Sequence, residues 1–146
     1  MSAFNTSREI NAPIEDVFAA FSDPDRLARW WGPTGFTNTF HTFEFKTGGS
    51  WVYTMHSPNG GNPENEGVFE LVEPPRKLVI RHISQPLYRL TIDLAPAATG
   101  TIISWSQVFD DADVAARVAR IVVPANEQNL DKLVADVDAA SRFRHL

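Results

Sequence analysis

The sequence contains no cysteine. That excludes disulfide scaffolds, zinc–thiolate centres and thiol nucleophiles together, and it fits a reducing compartment. No apolar run approaches the roughly 20 residues that span a bilayer. The first ten residues, MSAFNTSREI, lack the basic start and apolar stretch of a secretory leader. A cytoplasmic protein without a membrane span is the expectation. Positive charge is in short supply: 13 Lys and Arg stand against 18 Asp and Glu, a formal net charge of −5. Nucleic-acid binding needs a basic face, so no nucleic-acid partner is expected. Residues 1–75 carry 4 basic and 10 acidic side chains, and residues 76–146 carry 9 and 8. So mild an asymmetry reads as a solvated surface that aids solubility.

Catalytic signatures are missing too. There is no Gly-x-Ser-x-Gly elbow for a serine nucleophile, and Ser104 and Ser106 are expected to face outward from a strand. His41, His56, His82 and His145 are scattered, with neither His-x-x-x-His nor His-Glu-x-x-His spacing. No metal and no cofactor is expected. Gly48-Gly49 and Gly60-Gly61 lack the lysine and following helix of a phosphate loop and read as hairpin turns. Internal repeats and low-complexity tracts are absent.

What remains is ordinary globular material, 146 residues with 43% hydrophobic and 21% charged side chains. That length suits one domain, 1–146, with its core over about residues 4–140. Residues Phe4 to Ile10 read as a short strand. Pro13 sits in the first turn of a helix, and Ile14, Val17, Phe18 and Phe21 follow at i, i+3, i+4, i+7. Ser22-Asp23-Pro24 caps and starts a second short helix with Leu27, Trp30 and Trp31, which stops at Gly32-Pro33.

Six strand candidates follow: 36–45, 50–56, 66–72, 77–83, 87–95 and 101–109. Turn-forming clusters separate them, and such short links favour an antiparallel meander. Trp51, Tyr53 and Met55 share one face; so do Leu90, Ile92 and Leu94, and Ile103, Trp105, Gln107 and Phe109. Asp110-Asp111 caps a helix with Val114, Ala115, Val118, Ile121 and Val122 on one stripe. Pro124 either kinks that helix or starts another, in which Leu130, Leu133, Val134 and Val137 form a stripe. The tail from Ser141 to Leu146 reads as frayed. The fold class is α+β: a seven-stranded antiparallel sheet curled around a long C-terminal helix, with two short helices after the first strand. A curled sheet leaves room against the helix for a ligand.

Several runs carry a resemblance. Arg8-Glu9-Ile10-Asn11-Ala12-Pro13, Val17-Phe18, Asp23-Pro24 and Leu27-Ala28-Arg29-Trp30-Trp31-Gly32-Pro33 are followed in order by Gly48-Gly49-Ser50-Trp51 and Ser57-Pro58-Asn59-Gly60. Asn65-Glu66-Gly67-Val68-Phe69, Pro74-Pro75-Arg76-Lys77-Leu78, Gly100-Thr101, Gln107-Val108-Phe109 and Pro124 to Leu133 complete the series. Over residues 5–138 the chain resembles the activator of Hsp90 ATPase homologue-like family of the START/Bet v 1-like (SRPBCC) superfamily. Members often carry aspartate and arginine before the Gly-Gly turn; here Glu44-Phe45-Lys46 keep the charges and not the residue types. The resemblance implies the helix-grip fold and a cavity between sheet and helix. It implies no single activity, since the superfamily spans carriers, hormone-binding proteins, cyclases and chaperone co-activators.

Three functions are open at this point. The first is binding of a small apolar or aromatic molecule, with Trp30, Phe40, Trp51, Tyr53, Met55, His82, Leu90, Ile92, Ile103, Trp105, Leu133 and Val137 as ligand-binding candidates. Aromatic walls suit flat ligands, and Met adapts to irregular ones; the plainer reading is that these side chains fill a solid core. The second is a cyclase- or dehydratase-type enzyme. His82 shares a strand face with Leu78 and Ile80 and would be its base, with Glu66, Tyr53 and Gln107 as partners. The plainer reading is a hydrogen-bonded core histidine and a Glu66 facing water. The third, a chaperone ATPase co-regulator, rests on the family name. An exposed strand edge or the Trp30-Trp31 region offers a surface for a homodimer.

Overall fold

A computed structural model describes residues 2–144. Strand β1 (Ala3–Ile10) leads into α1 (Ile14–Ser22) and α2 (Pro24–Trp30). Six strands follow: β2 (Thr37–Phe43), β3 (Ser50–His56), β4 (Glu64–Glu73), β5 (Lys77–His82), β6 (Tyr88–Ala97) and β7 (Gly100–Phe109). A single helix, α3 (Ala112–Arg144), closes the chain.

The seven strands form one antiparallel sheet in the order β1-β7-β6-β5-β4-β3-β2. Five hairpins build the run from β2 to β7, and β1 returns along the far side of β7. Register shifts interrupt the ladders at Phe40/Thr42 and Phe69/Leu71, and bulges of this kind bend strands. The strand alternation survives intact: in β7, Ile103, Trp105, Gln107 and Phe109 are buried while Ile102, Ser104 and Val108 are exposed.

The short helices are set by local chemistry. Asp23 caps α2, its carboxylate accepting from the N–H groups of Asp25 and Arg26, and Pro24 fills the first helical position. Pro13 stands one position earlier than expected, as the N-cap of α1. Val17, Phe18 and Phe21 face the core. The Trp30 indole N–H donates to the Ala20 carbonyl at 3.0 Å, locking α2 against α1.

Helix α3 is the expected long C-terminal helix: of the two readings of Pro124, the chain continues through it as one helix and does not start another. Pro124 is exposed, so the carbonyl its ring leaves without an N–H partner lies on the solvent side. The stripe read into its first half is not core: Ala115 is buried, but Ile121 is 69% exposed. The second half makes the grip, through Leu130, Leu133 and Val137. The helix also runs through Ser141 to Arg144 instead of fraying; His145 and Leu146 lie outside the described residues.

Ion pairs fix the register of α3 over the sheet. Arg8 of β1 pairs with Glu127 at 2.8 Å and with Asp131. Arg26 of α2 donates to Asp136 at 2.9 Å. Before β3, the Glu44 carboxylate accepts from the Ser50 N–H at 3.0 Å, so it braces the Gly48-Gly49 turn. Among the described residues, no helix is long and apolar enough to cross a membrane, and no cluster of His, Cys, Asp and Glu is placed to hold a metal ion.

A polar gap in an aromatic core

The inner face of the sheet is crowded with rings. Trp51 is fully buried and stacks on Tyr53 (4.4 Å between centroids) and Phe69 (5.4 Å), with Trp31 tilted above it at 5.0 Å. Phe40, Phe43 and Phe45 extend the cluster. At the α1 end, Phe18, Phe21, Leu78, Ile92 and Leu94 close together without room for a water molecule. Much of the space between sheet and helix is therefore solid core.

The other end is not filled. A cavity of about 130 Å³ lies where α3 crosses β6 and β7. Trp31, Gly32 and Pro33 line it from the loop after α2, and Ala125, Asn126 and Asn129 from α3. Tyr53 and Met55 of β3, Asn65 of β4, Tyr88 and Leu90 of β6, and Trp105 and Gln107 of β7 complete the wall. The helix explains the gap. The positions one turn ahead of Leu130 and Leu133 on the gripping face hold Asn126 and Asn129, not aliphatic side chains. These side chains cannot close a hydrophobic seam, and they need hydrogen bonds instead.

Those bonds are present. Asn126 Nδ2 donates to Gln107 Oε1 at 3.1 Å. The Gly32 N–H donates to Asn129 Oδ1 at 3.2 Å, and the Thr34 N–H to Gln128 Oε1 at 3.1 Å. Lys132 Nζ donates to the carbonyls of Pro33 (3.2 Å) and Phe36 (2.9 Å). Three polar side chains of α3 thus clamp the 32–36 loop over the cavity. Gly32 has φ +99, and a Cβ there would lie 2.9 Å from Met55 Cε, so glycine sets how closely the loop approaches the wall.

The wall carries no charged side chain. The Trp31 indole N–H donates to the Tyr53 hydroxyl at 3.4 Å. Burial holds the Tyr53 and Tyr88 phenols protonated, their pKa values raised above the usual tyrosine value. The buried Trp105 indole N–H has no acceptor in the protein, and neither does that of Trp51.

Of the twelve ligand-binding candidates, Tyr53, Met55, Leu90 and Trp105 line this cavity. Trp30 is turned into the α1–α2 contact, Phe40 and Trp51 belong to the ring cluster, and Ile92, Ile103, Leu133 and Val137 are core. His82 is buried behind the wall. Its ring lies parallel to Tyr88 at 4.4 Å, with Nδ1 2.8 Å from the Pro86 carbonyl and Nε2 2.8 Å from Asn65 Oδ1. Burial lowers its pKa, outweighing the bonds to Pro86 and Ser84 that raise it. The expected partners do not meet it: Glu66 is exposed, Tyr53 bonds Trp31 and Gln107 bonds Asn126. Nor is Trp30-Trp31 a dimer surface, since both side chains are buried.

Sequence reasoning passed over Trp31, Asn65, Tyr88, Asn126 and Asn129 as wall residues. One signal was readable: two asparagines at the apolar-stripe positions of an otherwise aliphatic helix face. Larger depressions of about 290 Å³ between β1 and α3, and about 320 Å³ over Asn5, Ser7, Ser104 and Ser106, are open to solvent and lack the convergence of rings and amides.

Comparison with known proteins agrees with this architecture. No protein of curated function matches the sequence. A structure from Arthrobacter aurescens superposes with a TM-score of 0.86 at 23% identity, covering 94% of this chain and 87% of that one. A protein from Nitrosomonas europaea gives 0.85 at 16% identity, covering 94% and 95%. A structure described as an AHSA1-like protein from Aeromonas hydrophila gives 0.75 at 23% identity, covering 95% and 94%. These likenesses show the helix-grip fold. The family described as Activator of Hsp90 ATPase homolog 1-like protein matches residues 11–138, and with that match the chain belongs to this family.

Proposed function

We propose that the chain binds a small apolar or aromatic molecule in the cavity between sheet and α3. The observation that carries this reading is the gap in the helix stripe: aromatic side chains and a few convergent polar groups line a partly open space beside an otherwise filled core. That combination characterises ligand sites. At about 130 Å³ the space supports a compact ligand over a long acyl chain.

The enzyme reading draws little support. A base needs a free nitrogen facing its substrate, whereas both His82 nitrogens are engaged and the ring does not line the cavity. The co-regulator reading rests on the family name alone.

Native mass spectrometry of freshly purified protein, repeated after denaturation, tests the proposal. Non-covalent mass that vanishes on denaturation is the expected result. A clean apo mass, together with no spectral response to any single-ring probe, would overturn it.

A further inference from the structure

We infer that the ligand is a neutral, single-ring aromatic compound bearing one hydroxyl or carbonyl oxygen, with the ring against Trp31, Trp105 and Tyr88. This deepens the binding reading above and rests on it.

Size sets the first limit. An apolar protein cavity of about 150 Å³ admits benzene, and this one measures about 130 Å³. Fused rings and acyl chains exceed it. Polarity sets the second. Asn126, Gln107, Asn129 and Asn65 turn primary amides or their edges to the wall, and each amide has more hydrogen-bonding capacity than its protein partners use. A hydrocarbon would seal these groups away uncompensated, a loss for each polar group left unpaired. A hydroxyl or carbonyl oxygen on the ring answers the hydrogen-bonding capacity left on the Asn126 and Asn129 amides.

Charge sets the third limit. No ionised side chain lines the wall, the two phenols are kept neutral, and the Lys132 ammonium is spent on the Pro33 and Phe36 carbonyls. A carboxylate or an ammonium would lose its water without gaining a counter-charge.

The test is titration of ¹⁵N-labelled protein with phenol, toluene, benzoate and 2-naphthol, read at the indole N–H resonances. The sequence has four tryptophans, so the Trp105 signal is assignable from the Trp105→Phe variant. Phenol should move that signal and bind at least about tenfold tighter than toluene, the factor one buried hydrogen bond supplies. Benzoate and 2-naphthol should bind more weakly than phenol. Toluene binding as tightly as phenol would overturn the polar requirement and leave the binding reading standing. Equal binding of benzoate would overturn neutrality, and equal binding of 2-naphthol the size limit. Silence from all four, with no co-purified mass, would remove both readings. Asn129→Ala should weaken phenol about tenfold; unchanged affinity would overturn the role of its amide. If that variant does not fold, Asn126→Ala at the half-buried rim should show the same loss, and unchanged affinity there would count equally against the amide wall.

Discussion

Asn126 of α3 donates its side-chain amide to Gln107 of β7 at 3.1 Å, so the helix meets the floor of the grip through two polar side chains at a place built for aliphatic contact. Replacing both partners with leucine removes the polar pair and fills the gap. Asn126→Leu with Gln107→Leu should stabilise the fold by about 1–2 kcal/mol, read as a higher urea midpoint. The same protein should lose its response to phenol. A lower midpoint would show that the amide pair is a net contributor to stability.

Trp51 contacts more of the ring cluster than the cavity does. Trp51→Ala should cost about 3–5 kcal/mol in chemical denaturation, the range for emptying a large buried aromatic. A loss under about 1 kcal/mol would mean that the surrounding rings collapse into the space.

The two glycines of the 48–49 turn have separate reasons to be glycine. A Cβ on Gly49 would stand 1.9 Å from the Glu44 carbonyl oxygen, whereas Gly48 has φ +85 with nothing within 4 Å. Gly49→Ala should therefore cost about 3 kcal/mol or more, and Gly48→Ala about 1–2 kcal/mol. Thermal melts of the two variants side by side would show the order, and a reversed order would refute the packing argument.

His82 gives the fold a pH dependence of definite sign. Its folded pKa is lowered from 6.5, chiefly by burial. The unfolded chain therefore binds the proton more readily, and stability falls as pH drops below about 6.5 until the folded histidine titrates too. His82→Phe keeps a ring against Tyr88 and should flatten the slope of unfolding free energy between about pH 5 and 7. An unchanged slope would assign that dependence to another group.

Lys132 is partly buried, and its ammonium bridges two carbonyls of the loop above the cavity. Lys132→Met should cost about 1–3 kcal/mol by leaving both carbonyls without that donor. It should also speed amide hydrogen exchange at residues 32–36 more than elsewhere. Uniform exchange across the chain would mean that the clamp on Gly32 and Thr34 by Asn129 and Gln128 is sufficient alone.

Local patterns carried most of the architecture. Alternation in 101–109, the Asp23-Pro24 cap and the paired glycines act over a few residues, so the chain spells out its strands, helix starts and turns without reference to distant partners. The first half of α3 misled for the same reason: Val114, Val118 and Ile121 have helical spacing, but periodicity does not say whether a sheet lies beneath them. The site was legible only in part. Tyr53, Met55, Leu90 and Trp105 were found because inward-facing residues on strands alternate. Trp31, Asn65, Tyr88 and the Asn126–Asn129 pair come from four separate segments, and no local pattern joins them.

By itself the sequence determined the order of elements, the antiparallel meander and the family. Each follows from side-chain periodicity and turn chemistry over short spans. Only the tertiary structure decided which aromatic residues fill the core and which face open space. That depends on where α3 crosses the sheet, and the crossing is fixed by contacts between residues more than a hundred positions apart, such as Arg8 with Glu127 and Asp131, and Arg26 with Asp136. The cavity exists because packing leaves a gap at that crossing, and a gap is a property of several surfaces at once.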